Sequence, residues 1–301
     1  MNINLIGVPL KYGSGKDGAQ LGPAKLREYE LINALSVNEN KVYDLGDLYV
    51  PIHSEDDKFQ WHDKMKFLKP VLDVNTSLAH TVYCSLTGNS FPLVIGGDHS
   101  LGLGSIAGGS KFFKEMAVIW VDAHGDINNF ETSPSGNIHG MPLAASMGVG
   151  HSDLTNLYFS GQKVKPQNVY ILGARDLDPG EVALAEELKL NLYTMETVRE
   201  KGLELILNQI IENIKSSKVD GVHLSFDIDA LDSSLVPGTG TRVSQGFSLN
   251  EGKLILKDIL VSGFVTSMDF VELNPVLDDE NESTAKVCLE LIKDFSKYLK
   301  K

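Results

Sequence analysis

Three short segments of this 301-residue chain set carboxylates and imidazoles at the point where an apolar run ends. "VIWVDAHGD" carries Asp122, His124 and Asp126, "LSFDIDALD" carries Asp227 and Asp229, and "PLVIGGDHS" carries His99. Residues two apart on a strand project from the same face, so the first two segments are expected to present rows of acids as their strands end. In the third, the Gly96–Gly97 pair is expected to let the backbone turn sharply before His99. Burying one unpaired carboxylate costs several kcal/mol, and clustering four is far worse unless a cation neutralises them. Four Asp and two His, with some carboxylates bridging, could complete the shells of two divalent ions roughly 3.5 Å apart, the spacing of two-metal hydrolytic sites. Oxygen-rich ligation with two imidazoles and no thiolate favours Mn²⁺ or a similar first-row ion over structural zinc. Each segment alone could be a turn or a cap; their combination after three predicted strands favours metal. Asp98 is expected to be structural or to orient an imidazole, and Asp232 to cap a turn.

Elements that could position such a cluster recur along the whole chain. Apolar, β-branched runs near 3–8, 41–46, 92–97, 117–124, 169–174, 191–195, 222–230 and 265–273 predict about eight strands. Between them, helical spacing marks 22–35, 196–217, 249–260 and 283–299. Pro23 suits a helix start, where its fixed φ and missing donor cost nothing. Several strands are apolar on both faces, as a sheet covered by helices on both sides requires. The expected class is therefore α/β, built on one parallel sheet, with residues 1–301 forming a single domain. The segments 50–62 and 128–140 are expected to be loops. Ligands of open parallel sheets gather beyond the carboxyl ends of the strands, and the polar clusters above follow that rule.

A formal charge of −13 and a pI near 5.0 argue against non-specific binding to nucleic acid or to an anionic membrane, both of which draw on clustered Lys and Arg. Cys84 and Cys288 are far apart and lie in helical stretches, which excludes a disulfide framework or a CxxC metal pair. "MNINLIGVPL" has neither the basic start nor the long apolar core of a signal peptide, and no window reaches the roughly 18 apolar residues of a membrane span. The expected location is the cytoplasm.

The metal segments, together with "GVPLKYGSGKDGAQLGPAKLRE" near the start and "MDFVELNP" near the end, resemble the ureohydrolase family of arginases and agmatinases over nearly the whole chain. "SPSGNIHGMP", "ARDLDPGE" and "DALDSSLVPGTGTRV" are similar to arginases of the bacterial kind in particular. The resemblance implies a three-layer α/β/α fold around a parallel, roughly eight-stranded sheet, and two Mn²⁺ per subunit. One ion would take His99, Asp122, Asp126 and Asp227. The other would take His124, Asp122, Asp227 and Asp229, so that Asp122 and Asp227 bridge. The implied activity is hydrolysis of L-arginine to L-ornithine and urea by a hydroxide bridging the ions.

Roles carried over on this resemblance give Asp126 the hydroxide's proton to hold and relay, and His139 the task of protonating the leaving amine. Glu272 would face the guanidinium. Asn128, Ser133, Ser135 and Asn137 would receive the α-carboxylate, Asp178 and Glu181 the α-ammonium directly or through water, and Thr241 belongs to the same substrate-binding set. "DPGE" is also an ordinary helix start, with Pro179 in its first turn. Ser133 stands where animal arginases carry Thr, keeping the hydroxyl, and Ser233 stands where the family usually has Pro. A homo-oligomer, trimer or hexamer, is expected. The alternatives are agmatinase or another guanidino hydrolase using the same metals, a one-metal deacetylase on a related fold, and a non-catalytic homologue that binds an amino acid.

Overall fold

Strand β4 (Met116–Val121) shows how the sheet is built, because all six of its residues, MAVIWV, are buried. Its side chains alternate: Ala117, Ile119 and Val121 enter one apolar core, while Met116, Val118 and Trp120 enter another on the opposite face. A strand covered on both faces has to be apolar throughout. The structure, a computed structural model, describes residues 1–299.

The other strands are β1 (Asn2–Val8), β2 (Lys41–Asp47), β3 (Phe91–Gly96), β5 (Val169–Leu172), β6 (Asn191–Tyr193), β7 (Gly221–Asp227) and β8 (Val265–Val271). They form one eight-stranded sheet in the order β2-β1-β3-β8-β7-β4-β5-β6, with every pairing parallel. The helices are α1 (Gly22–Glu28), α2 (Leu31–Leu35), α3 (Leu68–Thr87), α4 (Gly102–Phe112), α5 (Pro142–Ser146), α6 (Ser152–Thr155), α7 (Pro179–Leu188), α8 (Met195–Lys201), α9 (Leu203–Ser216), α10 (Leu249–Val261) and α11 (Ser283–Phe295). Buried residues of α1, α2 and α8 to α11 line one core, and those of α3 to α7 line the two clusters on the other face. The result is the three-layer α/β/α arrangement. Among the described residues, no helix is long and apolar enough to cross a membrane.

Two helices expected to be continuous are broken. The run 22–35 stops at Glu30, whose φ of 60° is left-handed, and the run 196–217 is interrupted at Gly202 with φ 89°. Apolar periodicity continues across both breaks because each half buries the same stripe, as with Leu203, Ile206, Leu207, Ile210 and Ile214 of α9. The edge strand β2 also departs from the apolar pattern: none of its residues is fully buried, and among the described residues it pairs with a neighbour, β1, on one side only.

A candidate metal centre and active site

The four neighbouring strands β3, β8, β7 and β4 deliver the chemistry, each by residues at or just beyond its carboxyl end. After β3 come Asp98 and His99. Neither Gly96 nor Gly97 has a positive φ, so the pair is not there for a sharp turn. A Cβ on Gly97 would instead lie 1.8 Å from the Leu10 carbonyl oxygen, and the main chains are joined there by Gly97 N–H to Val8 O and Asp98 N–H to Leu10 O. Close approach of two backbones is what requires glycine.

The row of acids after β4 is likewise not a strand face. The strand ends at Val121, and Asp122, His124 and Asp126 lie in the following loop, Asp126 with φ 53°. After β7, Asp227 is the last strand residue and Asp229 sits in a 3₁₀ turn. What makes the two-residue spacing work is a local hydrogen bond. Asp122 Oδ1 accepts from His124 N–H at 2.7 Å, Asp227 Oδ1 from Asp229 N–H at 2.8 Å, and Asp98 Oδ1 from Ser100 N–H at 3.0 Å. In each, the carboxylate turns back on the main chain two residues ahead, a short turn that Asp favours.

These turns aim the remaining oxygens inward. His99 Nδ1 lies 2.9 Å from Asp122 Oδ2, 3.2 Å from Asp126 Oδ2 and 3.2 Å from Asp227 Oδ2. His124 Nδ1 lies 3.3 Å from Asp122 Oδ1 and 3.2 Å from Asp229 Oδ2. Two groups able to hold a metal ion follow: His99, Asp122 and Asp227, and Asp122, His124 and Asp229. Asp122 belongs to both, one oxygen to each. Asp227 groups with His99 only, and Asp126 approaches the first group through His99.

The donor set fits divalent cations. His99 Nδ1 is fully buried among three carboxylates yet has no hydrogen-bond partner, while its Nε2 is 2.7 Å from Ser225 Oγ. With Nε2–H donating to that hydroxyl, Nδ1 keeps a lone pair for a metal. The electrostatics point the same way. Burial, followed by the neighbouring Asp229 and Asp122, pushes the Asp227 carboxyl well above the usual range, and burial with Asp122 brings Asp126 to about 6. Burial opposes charge on His99 and His124, but the surrounding carboxylates overcome it and raise both rings. Despite its burial, Asp122 alone is held below the usual carboxylate range, by the two imidazoles beside it, while Asp126, Asp227 and Asp229 resist ionising; more acids than the two rings can balance describe a cluster short of positive charge.

Trp120 and Arg175 support this floor and were not among the expected residues, although Trp120 lies in the strand before Asp122 and Arg175 inside the motif that supplied Asp178. Trp120 stacks on His99 with ring centroids 3.9 Å apart and donates Nε1–H to Asp122 Oδ2. Arg175 Nη2 donates to the carbonyls of Asp229, Leu231 and Val243, tying together the loop after β7. Asp98, by contrast, orients no imidazole: it accepts from Gly13 N–H and from Ser100. Asp232 does hold a turn, accepting from Ser234 N–H.

His99, His124, Asp126 and Asp227 open onto a cleft walled by Asn128, Ser133, Ser135, Asn137, His139, Asp176, Asp178, Glu181 and Thr241. Asp122 and Asp229 lie beneath its floor. Glu272 is not a strand residue as expected; it follows β8 with φ 69° and does not line the cleft. It accepts from His99 N–H at 2.9 Å and meets His139 Nδ1 at 3.2 Å, which holds its carboxyl below the usual range despite burial. Thr241 donates to Asp229 Oδ2 at 3.0 Å. Along the wall, Asn128 donates to Asp178 Oδ2 at 2.8 Å and accepts from Thr132 Oγ1. Glu181 accepts from Asp178 N–H and Ile127 N–H, and burial lifts it to about 7. Ser133 and Ser135 accept from the main chain of Gly136 and Asn137. Asp176, on the rim 3.9 Å from His124 Nε2, was not among the expected residues although it stands inside the motif that supplied Asp178.

Fold and site together define an α/β protein with a His/Asp cluster able to hold metal ions at the carboxyl ends of a parallel sheet. The chain belongs to the arginase family, whose model matches residues 1–296. The arginase of Bacillus subtilis (strain 168) is 43% identical over 290 residues, 96% of each chain. Among solved structures, a 1.7 Å crystal structure of Bacillus subtilis arginase has a TM-score of 0.91 at 42% identity and covers 100% of this chain and 99% of that one. Entamoeba histolytica arginase in complex with L-ornithine has a TM-score of 0.89 at 34% identity, covering 98% and 97%.

Proposed function

We propose that this protein hydrolyses the guanidinium group of L-arginine to L-ornithine and urea, using two Mn²⁺ ions held by His99, Asp122, Asp126, Asp227, His124 and Asp229. The observation that carries the proposal is the pair of His/Asp groups sharing Asp122, with the orphaned His99 Nδ1 inside one of them. When bound, the ions offset the clustered negative charge and supply a nucleophilic hydroxide near neutral pH.

The chain's own residues account for the rest. His139 has one nitrogen against Glu272, so the other serves to protonate the leaving amine at the cleft. Glu272 keeps that ring oriented and charged, burial notwithstanding. This differs from the expected direct contact with the guanidinium and assigns Glu272 to positioning through His139. Asp126, its Oδ2 3.2 Å from His99 Nδ1 at the edge of the first group, would take up the hydroxide's proton and relay it. Asn128, Ser133, Ser135, Asn137 and Thr241 orient the amino-acid end together with Asp178, while Glu181 supports Asp178 through its main-chain N–H. The same proposal makes residues 1–301 one cytoplasmic domain that assembles as a homo-trimer or homo-hexamer without nucleic-acid or membrane partners.

Urea release from L-arginine and from agmatine after loading with Mn²⁺ tests it. Arginine is expected to be the better substrate by a wide margin, because a site that hydrogen-bonds a carboxylate rejects the analogue lacking it. No urea from arginine rejects the proposal; faster turnover of agmatine replaces it with an agmatinase.

A further inference from the structure

The cleft is acidic. Its lining includes Asp126, Asp176, Asp178, Glu181 and Asp227 and, among the described residues, no lysine or arginine. An amino-acid substrate would bring a carboxylate into that field. A cation, Lys66, stands directly behind the Asn137 end of the wall. Lys66, half-buried just before α3, donates from Nζ to Asn137 Oδ1 at 2.8 Å. Its main-chain N–H donates to Gly136 O at 2.9 Å, so the residue grips the loop at two consecutive positions. The loop lies so close that a Cβ on Gly136, which has φ +70°, would sit 2.2 Å from Lys64 O.

We infer that Lys66 is a specificity-determining positioning residue that makes Asn137 an anion donor. The inference rests on the proposed role of Asn137 at the α-carboxylate. An ammonium against Oδ1 forbids the flipped amide, which would set N–H against N–H. Nδ2 already gives one hydrogen to Ser14 O at 2.9 Å, leaving one N–H free. The charge on Lys66 polarises the amide, strengthening that remaining donor, and adds a positive potential at this end of the cleft only.

The experiment compares wild type, Lys66→Met and Lys66→Arg, all loaded with Mn²⁺, in two assays. Urea kinetics are measured with L-arginine and with agmatine as a competing ligand. Equilibrium binding is measured by calorimetry for L-ornithine and for putrescine, which lacks the carboxylate. Removing a charge-assisted hydrogen bond of this kind predicts a rise of about tenfold in the KM for arginine and in the Kd for ornithine. kcat, the agmatine inhibition constant and the putrescine Kd should each move less than about threefold, and Lys66→Arg should restore most of the loss. Equal weakening of ligands with and without the carboxylate, or no change for ornithine, overturns the inference. Because the calorimetry needs no turnover, a wild type that binds ornithine but releases no urea rejects the catalytic proposal while still judging Lys66.

Discussion

The floor and the wall of the cleft are held by different kinds of contact. On the floor, Asp122 and Asp227 are each oriented by a main-chain N–H two residues away, at the end of a fully buried strand. Along the wall, the decisive contacts cross the chain: Asn128 to Asp178, Lys66 to Asn137, Asn137 to Ser14. A local turn on a packed sheet fixes one oxygen of Asp122 and one of Asp227, which suits ligands that must converge on an ion, while His99 and Asp229 are braced from farther away by Ser225, Ala123 and Thr241. A wall made of long-range bonds moves as a network, so losing one member should alter substrate binding while sparing the floor.

The sharpest way to break this contrast is Asp122→Asn, which removes the carboxylate common to both metal groups. We expect metal occupancy to fall and activity to drop by at least about 10³-fold, since both sites lose a ligand; metal analysis beside the urea assay checks it, and retained metal would place the shared carboxylate outside the centre. For the wall, Asn128→Ala frees both Asp178 and Thr132. Its expected signature is a KM for arginine higher by about tenfold with metal content unchanged, and a loss of metal would erase the distinction between floor and wall.

Glu181 gives the smallest and most specific test. Burial, with Asp126 nearby, lifts it to about 7 in the folded protein, above an unfolded value of about 4.3. Its folded form therefore binds more protons between those values, so its contribution to stability is present below about pH 4 and is lost as the pH rises through 7. Glu181→Gln escapes that loss. Relative to wild type, the variant should gain about 2–3 kcal/mol between pH 5 and pH 8, measured by denaturant unfolding at each pH; a pH-independent difference would show that the carboxyl stays ionised, held by its two N–H donors.

Much of the floor is legible in the sequence. Asp122, His124, Asp126, Asp227, Asp229 and His99 do converge, and they lie where apolar runs end. The physical reason differs from strand alternation, because β4 stops at Val121 and leaves Asp122, His124 and Asp126 in the loop beyond it. Residues i and i+2 are tied together there by turns in which the carboxylate bonds the backbone ahead of it. Gly97 stands out in the sequence as special, yet it serves close packing on Leu10. Ser225 and Trp120, which set the tautomer and plane of His99, read in the sequence as ordinary strand residues. The helix break at Glu30 leaves no trace there because periodicity registers which face is buried, whatever the continuity of the backbone, whereas the break at Gly202 is marked only by the glycine itself.

The sequence by itself determined the layers and the kind of chemistry. Continuous apolar runs at strand spacing specify a sheet covered on both faces, and four carboxylates with two imidazoles where such runs end call for cations. Tertiary structure alone decided how Asp122 divides its oxygens between two imidazoles, how Glu272 stands behind His139, and how Lys66 meets Asn137 across 71 residues of chain. Those contacts exist only after the strands have taken the order β3-β8-β7-β4 and brought their carboxyl ends together, because a hydrogen bond acts over about 3 Å and only packing can bring remote residues within that range.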